Sequence, residues 1–295
     1  MSTLESRWDA VDGVRMHVRS GGEGPPVVLV HGYGVSSRYL LPLARILVSS
    51  CSVFVPDLPG HGRSESSVAS LEIGGLAGAL GDWLEAAGLE RPAFVANSMG
   101  CQVVTELAMR RPERVGPLVL VGPTIDPGRR SHRHQIFGAL RDSANEPALL
   151  VALAGRDWAG SLGQLRALAR SVLADRIEER LPLIEQPAIV VHGEKDGLVS
   201  REWAERAAEL LPRGRFLVVP GEPHAIPYTH PRLLAGIVEE LLAEEAEHAT
   251  GQLARGLPHR DVPARQPHQP RSRQQPLPLL RDLPGYQPVT VSPDE

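Results

Sequence analysis

Residues 94–102, FVANSMGCQ, decide how this chain is read. An apolar run ends at Asn97. A second run, with Val103, Val104 and Leu107 on one helical face, starts near Gly100 and stops before Pro112. The pattern predicts a strand, a sharp turn at Ser98, and a helix over about 100–110. A serine in such a turn stands where a nucleophile is expected when its flanks follow Gly-x-Ser-x-Gly. Here Ala96 occupies the first glycine position and Gly100 the second. Taken alone, the stretch fits a buried serine at a helix start equally well.

Working outward, five more short apolar runs end in Gly, Pro or Asp: PPVVLVHG, CSVFVPD, GPLVLVGP, QPAIVVHG and GRFLVVPG. Near-continuous apolar runs suit strands buried on both faces, with helices on either side. RWDAV and VRMHVRS flank Asp12-Gly13, a hairpin signal, and predict an antiparallel start to the sheet. Helices are predicted over about 38–48, with Ser36 and Ser37 as caps, and over about 231–245 after Pro231. The segment near 70–87 is weakened as a helix by Gly74, Gly75, Gly78 and Gly81. Those glycines do not follow a strand in dinucleotide-binding order.

The order predicts an α/β fold: a doubly wound, mostly parallel sheet. Residues 125–185 read as short helices without a strand, a helical cap inserted between a first core part, 1–124, and a second, 186–247. Residues 248–295, rich in Pro, Arg and Gln, read as a disordered tail. Within it, PLPLL reads as passive chain.

The chain has 295 residues, enough for a sizeable core, and a net charge of −4, so no nucleic-acid or anionic-membrane partner is expected. Lys195 is the single lysine. Two cysteines, Cys51 and Cys101, give no disulfide framework and fit a reducing, cytoplasmic setting. The first residues have neither a basic start nor an apolar run, so no signal peptide is expected. No run reaches the ~20 apolar residues that span a bilayer.

A serine nucleophile needs a base, and near neutral pH that is a histidine. His224 in PGEPHAIPYTHP follows the last predicted strand and reaches the same sheet edge as Ser98. His31 reads as a structural hydrogen bonder, and His61 lies in PDLPGHGRS. The imidazole needs an orienting acid. VVHGEKDG offers Glu194 and Asp196, of which Asp196 is preferred; Asp126, after the strand that follows Ser98, is the alternative. The chain order is then Ser, acid, His, as expected on this fold. His31-Gly32-Tyr33-Gly34 follows a strand, and the backbone amides of Tyr33 and Met99 are the candidate oxyanion hole. His132, Arg133 and His134 read as surface, with no further metal ligand at useful spacing; Trp158 and Phe137 read as packing, and Cys101 as a small buried residue. No metal or cofactor is expected, and the expected partner is a small-molecule substrate.

With these residues in place, about residues 10–245 resemble the α/β-hydrolase superfamily. The likeness is carried by VVLVHGYG, VFVPDLPGHGRS, FVANSMGCQVVTELAMRRPERVGPLVLVGPT, PAIVVHGEKDGLVS and PGEPHAIPYTHP. The resemblance implies a capped serine hydrolase with Ser98 as nucleophile, Asp196 as acid, His224 as base and the Tyr33 and Met99 amides as oxyanion hole. The expected substrate is a carboxylic ester or lactone. NSMG is also similar to the turn of hydrolases that cleave carbon–carbon bonds in ring-fission products, although Ala225 stands where those enzymes carry Trp. A non-catalytic ligand-binding protein on the same fold is the third reading.

Overall fold

In the computed structural model, residues 4–254 are described apart from residue 12, residues 67–71 and, in the insert, residues 132, 134–137, 139, 143–144, 149–151, 153–154 and 158–161. The six apolar runs form β3 (Pro26–Val30), β4 (Ser52–Pro56), β5 (Ala93–Asn97), β6 (Leu118–Val121), β7 (Ala188–Gly193) and β8 (Gly214–Val219). The two amino-terminal runs form β1 (Glu5–Val11) and β2 (Val14–Gly21). Gly13 takes φ 79° in their turn, a conformation that a side chain would disfavour; Asp12 lies outside the described residues. The sheet order is β1-β2-β4-β3-β5-β6-β7-β8. Strands β3 to β8 run parallel where they pair, and β2 is antiparallel to both β1 and β4.

Strand alternation builds two cores. Val28, Val30, Phe94, Ala96, Leu118 and Leu120 face one side, against α2 (Ile73–Ala86), α3 (Met99–Arg110) and α6 (Arg201–Leu210). Val27, Leu29, Val95, Val119, Ile189 and Val191 face the other, against α1 (Leu41–Leu47) and α8 (Pro231–Ala254). One-residue alternation between two packed faces is what a central parallel strand demands. Between β6 and β7 lies a helical insert. Its described residues contain no strand and include α4 (Leu162–Ala174) and α5 (Ile177–Arg180). The short α7 (Ile226–Thr229) precedes α8.

Three local expectations are corrected. The glycine-rich segment is helical over Ile73–Ala86, because tertiary packing outweighs propensity. A Cβ on Gly81 would lie 2.9 Å from Leu107 Cδ1, so glycine lets α2 lie close against α3. Ser36 and Ser37 do not cap with their side chains. Their amides instead donate to Asp157 Oδ2 and Asp57 Oδ1, each at 2.8 Å. Finally, α8 runs through Ala254, so residues 248–254 are helical where the tail was placed. No proline interrupts the chain between Pro231 and Pro258, which leaves nothing to stop the helix at 248. Residues 255–295, with PLPLL, lie outside the described residues. No described helix is long and apolar enough to cross a membrane.

Candidate active site

The carboxyl ends of β3, β5, β6, β7 and β8 meet at one edge of the sheet, where open α/β sheets bind ligands. Ser98 fills the single residue between β5 and α3 with φ 57° and ψ −125°, a left-handed backbone rarely taken by a residue with a side chain. Close packing holds it there. A Cβ on Gly100 would stand 2.6 Å from the Val30 carbonyl oxygen and 2.9 Å from that of His31. Gly100→Ala should therefore force the turn off β3 and cost about 1–3 kcal/mol, measured as a lowered urea midpoint. Ala96 is accommodated on the buried face of β5, and its carbonyl accepts the Cys101 thiol at 3.3 Å. Cys101 is fully buried, as expected for a packing residue.

Asn97 ties the edge together. Its Nδ2 donates to the carbonyls of Val121 (3.1 Å) and His224 (3.2 Å), and its Oδ1 accepts from the Tyr39 hydroxyl at 2.9 Å. The Ser98 amide donates to Val121 as well, at 2.9 Å. This draws the histidine loop beside the serine turn. Gly32 brings the loop after β3 equally close: a Cβ there would lie 3.1 Å from Ser98 Cβ and 3.6 Å from Oγ. Tyr33 follows it, half-buried, and Met99 opens α3.

His224 Nδ1 pairs with Asp196 Oδ2 at 2.7 Å, and both side chains are buried. The other Asp196 oxygen accepts the amides of Leu198 (2.8 Å) and Val199 (2.9 Å). Burial would raise the Asp196 carboxyl, but His224 and these donors hold it below the ordinary range. It is therefore an anion. Burial lowers the His224 imidazole, but Asp196, with Asp142 and Glu146 beyond it, outweighs this and lifts it to about 9. His224 Nε2 is buried and makes no hydrogen bond among the described residues. A Cβ on Gly122 would lie 2.8 Å from two atoms of the ring, so the end of β6 makes room for it.

Asp126, the alternative acid, is committed elsewhere. It accepts the Gly128 amide at 2.8 Å and the Ser200 hydroxyl at 2.6 Å, beside a surface groove of about 510 Å³ that contains none of Ser98, Asp196 and His224. Glu194 accepts the Gly221 amide at 2.7 Å. His31 is structural: Nε2 accepts the Leu58 amide (2.9 Å), so Nδ1 carries the proton donated to the Gly32 carbonyl (2.8 Å). Burial pulls His61 down to about 3, which keeps it neutral. His132, His134, Phe137 and Trp158 lie outside the described residues. Among the described residues no group of three or more metal-ligating side chains is gathered.

Two carboxylates of the insert were missed in the sequence. Asp142 Oδ1 accepts the amides of His224 (3.1 Å) and Gly197 (3.2 Å), which bridges the histidine and acid loops. Glu146 Oε1 accepts the Ala225 amide at 2.7 Å, while its Oε2 is buried with no partner among the described residues. Burial, reinforced by Asp142 and Asp196, lifts the Glu146 carboxyl to about 7. Their spacing of four residues, about one helical turn, was the signal available; the Glu146 amide donates to the Asp142 carbonyl at 3.0 Å.

The sequence profile of the Alpha/beta hydrolase family matches residues 27–237, and the chain belongs to that family. It is 29% identical over 267 residues to the pimeloyl-[acyl-carrier protein] methyl ester esterase of Shewanella woodyi, covering 77% of this chain and 97% of that one. It is 31% identical over 114 residues to the 2-hydroxy-6-oxo-6-phenylhexa-2,4-dienoate hydrolase of Burkholderia cepacia, 37% of this chain and 40% of that one. It spans only 13% of the polyketide synthase ThaQ of Burkholderia thailandensis, with 29% identity over 267 residues and 79% of this chain covered. The solved structure of Est816, described as an N-acyl homoserine lactone degrading enzyme, shares the fold, with a TM-score of 0.69 and 22% identity over 79% of this chain and 99% of that one.

Proposed function

We propose that this chain is a serine hydrolase that cleaves carboxylic esters or lactones through an acyl-enzyme on Ser98. The observation that carries the reading is the buried His224–Asp196 pair, strapped by Asn97 to the strained turn that holds Ser98. His224 Nε2 takes the Ser98 proton as Oγ attacks the substrate carbonyl carbon. The oxyanion that forms meets the amides of Tyr33 and Met99, each worth about 10²–10³ in rate. His224 then protonates the leaving alkoxide. In the second half, His224 deprotonates a water that attacks the acyl carbon, and the acid leaves as Ser98 is restored. Asp196 holds the ring with Nδ1 protonated, so Nε2 is the base, and stabilises the imidazolium. The insert acts as a cap that shapes the substrate pocket. The chemistry needs no cofactor or metal, and two unpaired, buried cysteines suit a cytoplasmic setting.

The ester reading is supported by the methyl ester esterase among the relatives, which the chain matches over nearly that protein's whole length. A carbon–carbon bond hydrolase is the second reading, favoured by NSMG and by the dienoate hydrolase. Parallel assays on p-nitrophenyl esters, lactones and a ring-fission dienone separate the two. Ester or lactone turnover should dominate; efficient dienone cleavage with feeble ester cleavage would replace the ester reading. A folded protein that turns over none of them would be a binding protein.

The pH profile follows from the same geometry. Only neutral His224 accepts a proton, so kcat/KM should rise with pH along a limb centred near 9. Asp196, Asp142 and Glu146 are the carboxylates that raise it. Glu146 is ionised at that limb, so Glu146→Gln removes a negative charge and should move the limb to lower pH. A limb that stays in place in the variant would deny Glu146 this role.

A further inference from the structure

A second Ser–His–Asp relay lies away from this site, in the antiparallel part of the sheet. In the β1–β2 register, Ser6 stands opposite Arg19 and Trp8 opposite His17, so these four side chains share one face. Ser6 Oγ lies 2.5 Å from His17 Nε2, across the strand diagonal. His17 Nδ1 lies 2.9 Å from Asp57 Oδ2. His17 and Asp57 are fully buried, whereas Ser6 is exposed. The Asp57 carboxylate is fixed on both oxygens: Oδ1 accepts the Ser37 amide at 2.8 Å, and Oδ2 also accepts the Arg63 amide at 3.1 Å.

We propose that Ser6 is a second acylatable serine, activated by the buried His17–Asp57 pair and open to acyl or phosphonyl donors from solvent. With Nδ1–H given to Asp57, the Nε2 lone pair faces the Ser6 hydroxyl, which is the tautomer a general base requires. Burial would raise the Asp57 carboxyl, but the hydrogen bonds from His17 and Ser37 and the nearby His31 hold it well below the ordinary carboxylate range. It therefore stays anionic and keeps that tautomer. The Arg63 guanidinium reaches to 3.5 Å from His17 Nε2, and Arg19 shares the face. Positive charge beside the hydroxyl favours an oxyanion as it forms, and favours donors that carry negative charge. No strained turn supports Ser6, which lies within a regular strand, so its reaction is slower than that of Ser98.

With a fluorophosphonate, Ser6 Oγ attacks phosphorus, a P–O bond forms, the P–F bond breaks and fluoride leaves. The proton passes to His17 Nε2 and then to solvent. The test uses the full chain carrying Ser98→Ala, so the two serines are never confused. The protein is exposed to a fluorophosphonate at pH 8, and fragment mass spectra follow the adduct at Ser6 and at Ser49. Ser49 is an exposed serine whose hydroxyl donates to the Ile46 carbonyl and is hydrogen-bonded to no histidine or carboxylate among the described residues. Ser6 should react about 10²-fold faster than Ser49, the scale of general-base assistance. Adding His17→Gln, which keeps a donor toward Asp57 and an acceptor toward Ser6 but no base, should bring Ser6 down to the Ser49 rate. If that protein does not fold, dependence on the base is read instead from the solvent deuterium isotope effect on labelling, which should be larger at Ser6 than at Ser49 because a proton moves to His17 Nε2 as the P–O bond forms. A Ser6 rate no faster than that of Ser49, or one that neither His17→Gln nor deuterated solvent changes, would reduce the relay to a staple between the hairpin and the loop after β4.

Discussion

Ser98→Ala is expected to lower kcat on a p-nitrophenyl ester by about 10⁶-fold, the scale at which a triad nucleophile fails when removed alone. The variant keeps the turn, because Gly100 and the Asn97 hydrogen bonds hold the backbone and involve no atom of the Ser98 hydroxyl. Far-ultraviolet circular dichroism and the unfolding midpoint should therefore stay close to wild type. What is lost is the atom that forms the acyl bond. The Tyr33 and Met99 amides, the proposed oxyanion hole, are untouched by the substitution, so some catalysis over water should persist, by direct attack of a water on the substrate. A variant that kept wild-type kcat would move the nucleophile elsewhere on the sheet edge.

Asp196→Asn is expected to cost about 10⁴-fold in kcat near neutral pH, with KM little changed. The asparagine amide would donate to Nδ1, turning the imidazole to the tautomer whose Nε2 carries the proton. Such a ring cannot accept from Ser98. The two backbone amides that fix Asp196 Oδ1 would still find an acceptor, so the loop should hold its shape. Asp126→Asn is the matched control. Its carboxylate serves Gly128 and Ser200, so kcat should stay near wild type while stability falls. A large kcat loss in Asp126→Asn, with Asp196→Asn nearly silent, would reverse the assignment of the acid.

Much of this arrangement is legible in the sequence because the physics is local. Six apolar runs, five of them ended by Gly, Pro or Asp, became β3 to β8, since a strand buried on both faces has no other pattern to show. Ser98, Asp196 and His224 each come within three residues of the end of such a run, so their placement at one sheet edge follows from parallel strands. Asp196 was preferred and Asp126 kept as the alternative, because both follow a strand and spacing alone does not reveal which carboxylate turns inward. In three dimensions Asp196 pairs with His224, for whose ring Gly122 makes room, while Asp126 accepts from Ser200. Asp142 and Glu146 were missed for a related reason. They sit in the insert, where no strand period anchors the reading, and their partners are backbone amides of the histidine and acid loops, far off in sequence. The helix over Ile73–Ala86 was obscured by its glycines; the close approach of Gly81 to Leu107 appears only once α3 is in place, and Gly78 meets nothing within 4 Å.

The central claim is a covalent acyl group on Ser98, and its most direct measurement is the location of that group. The protein is mixed with a p-nitrophenyl ester, quenched with acid within the first turnover, and mapped by peptide mass spectrometry. The expected result is one acyl mass on the peptide that carries Ser98, formed with the burst of p-nitrophenolate and absent in Ser98→Ala. A burst whose acyl group sits on another side chain, or steady turnover with Ser98 unmodified throughout, would contradict it.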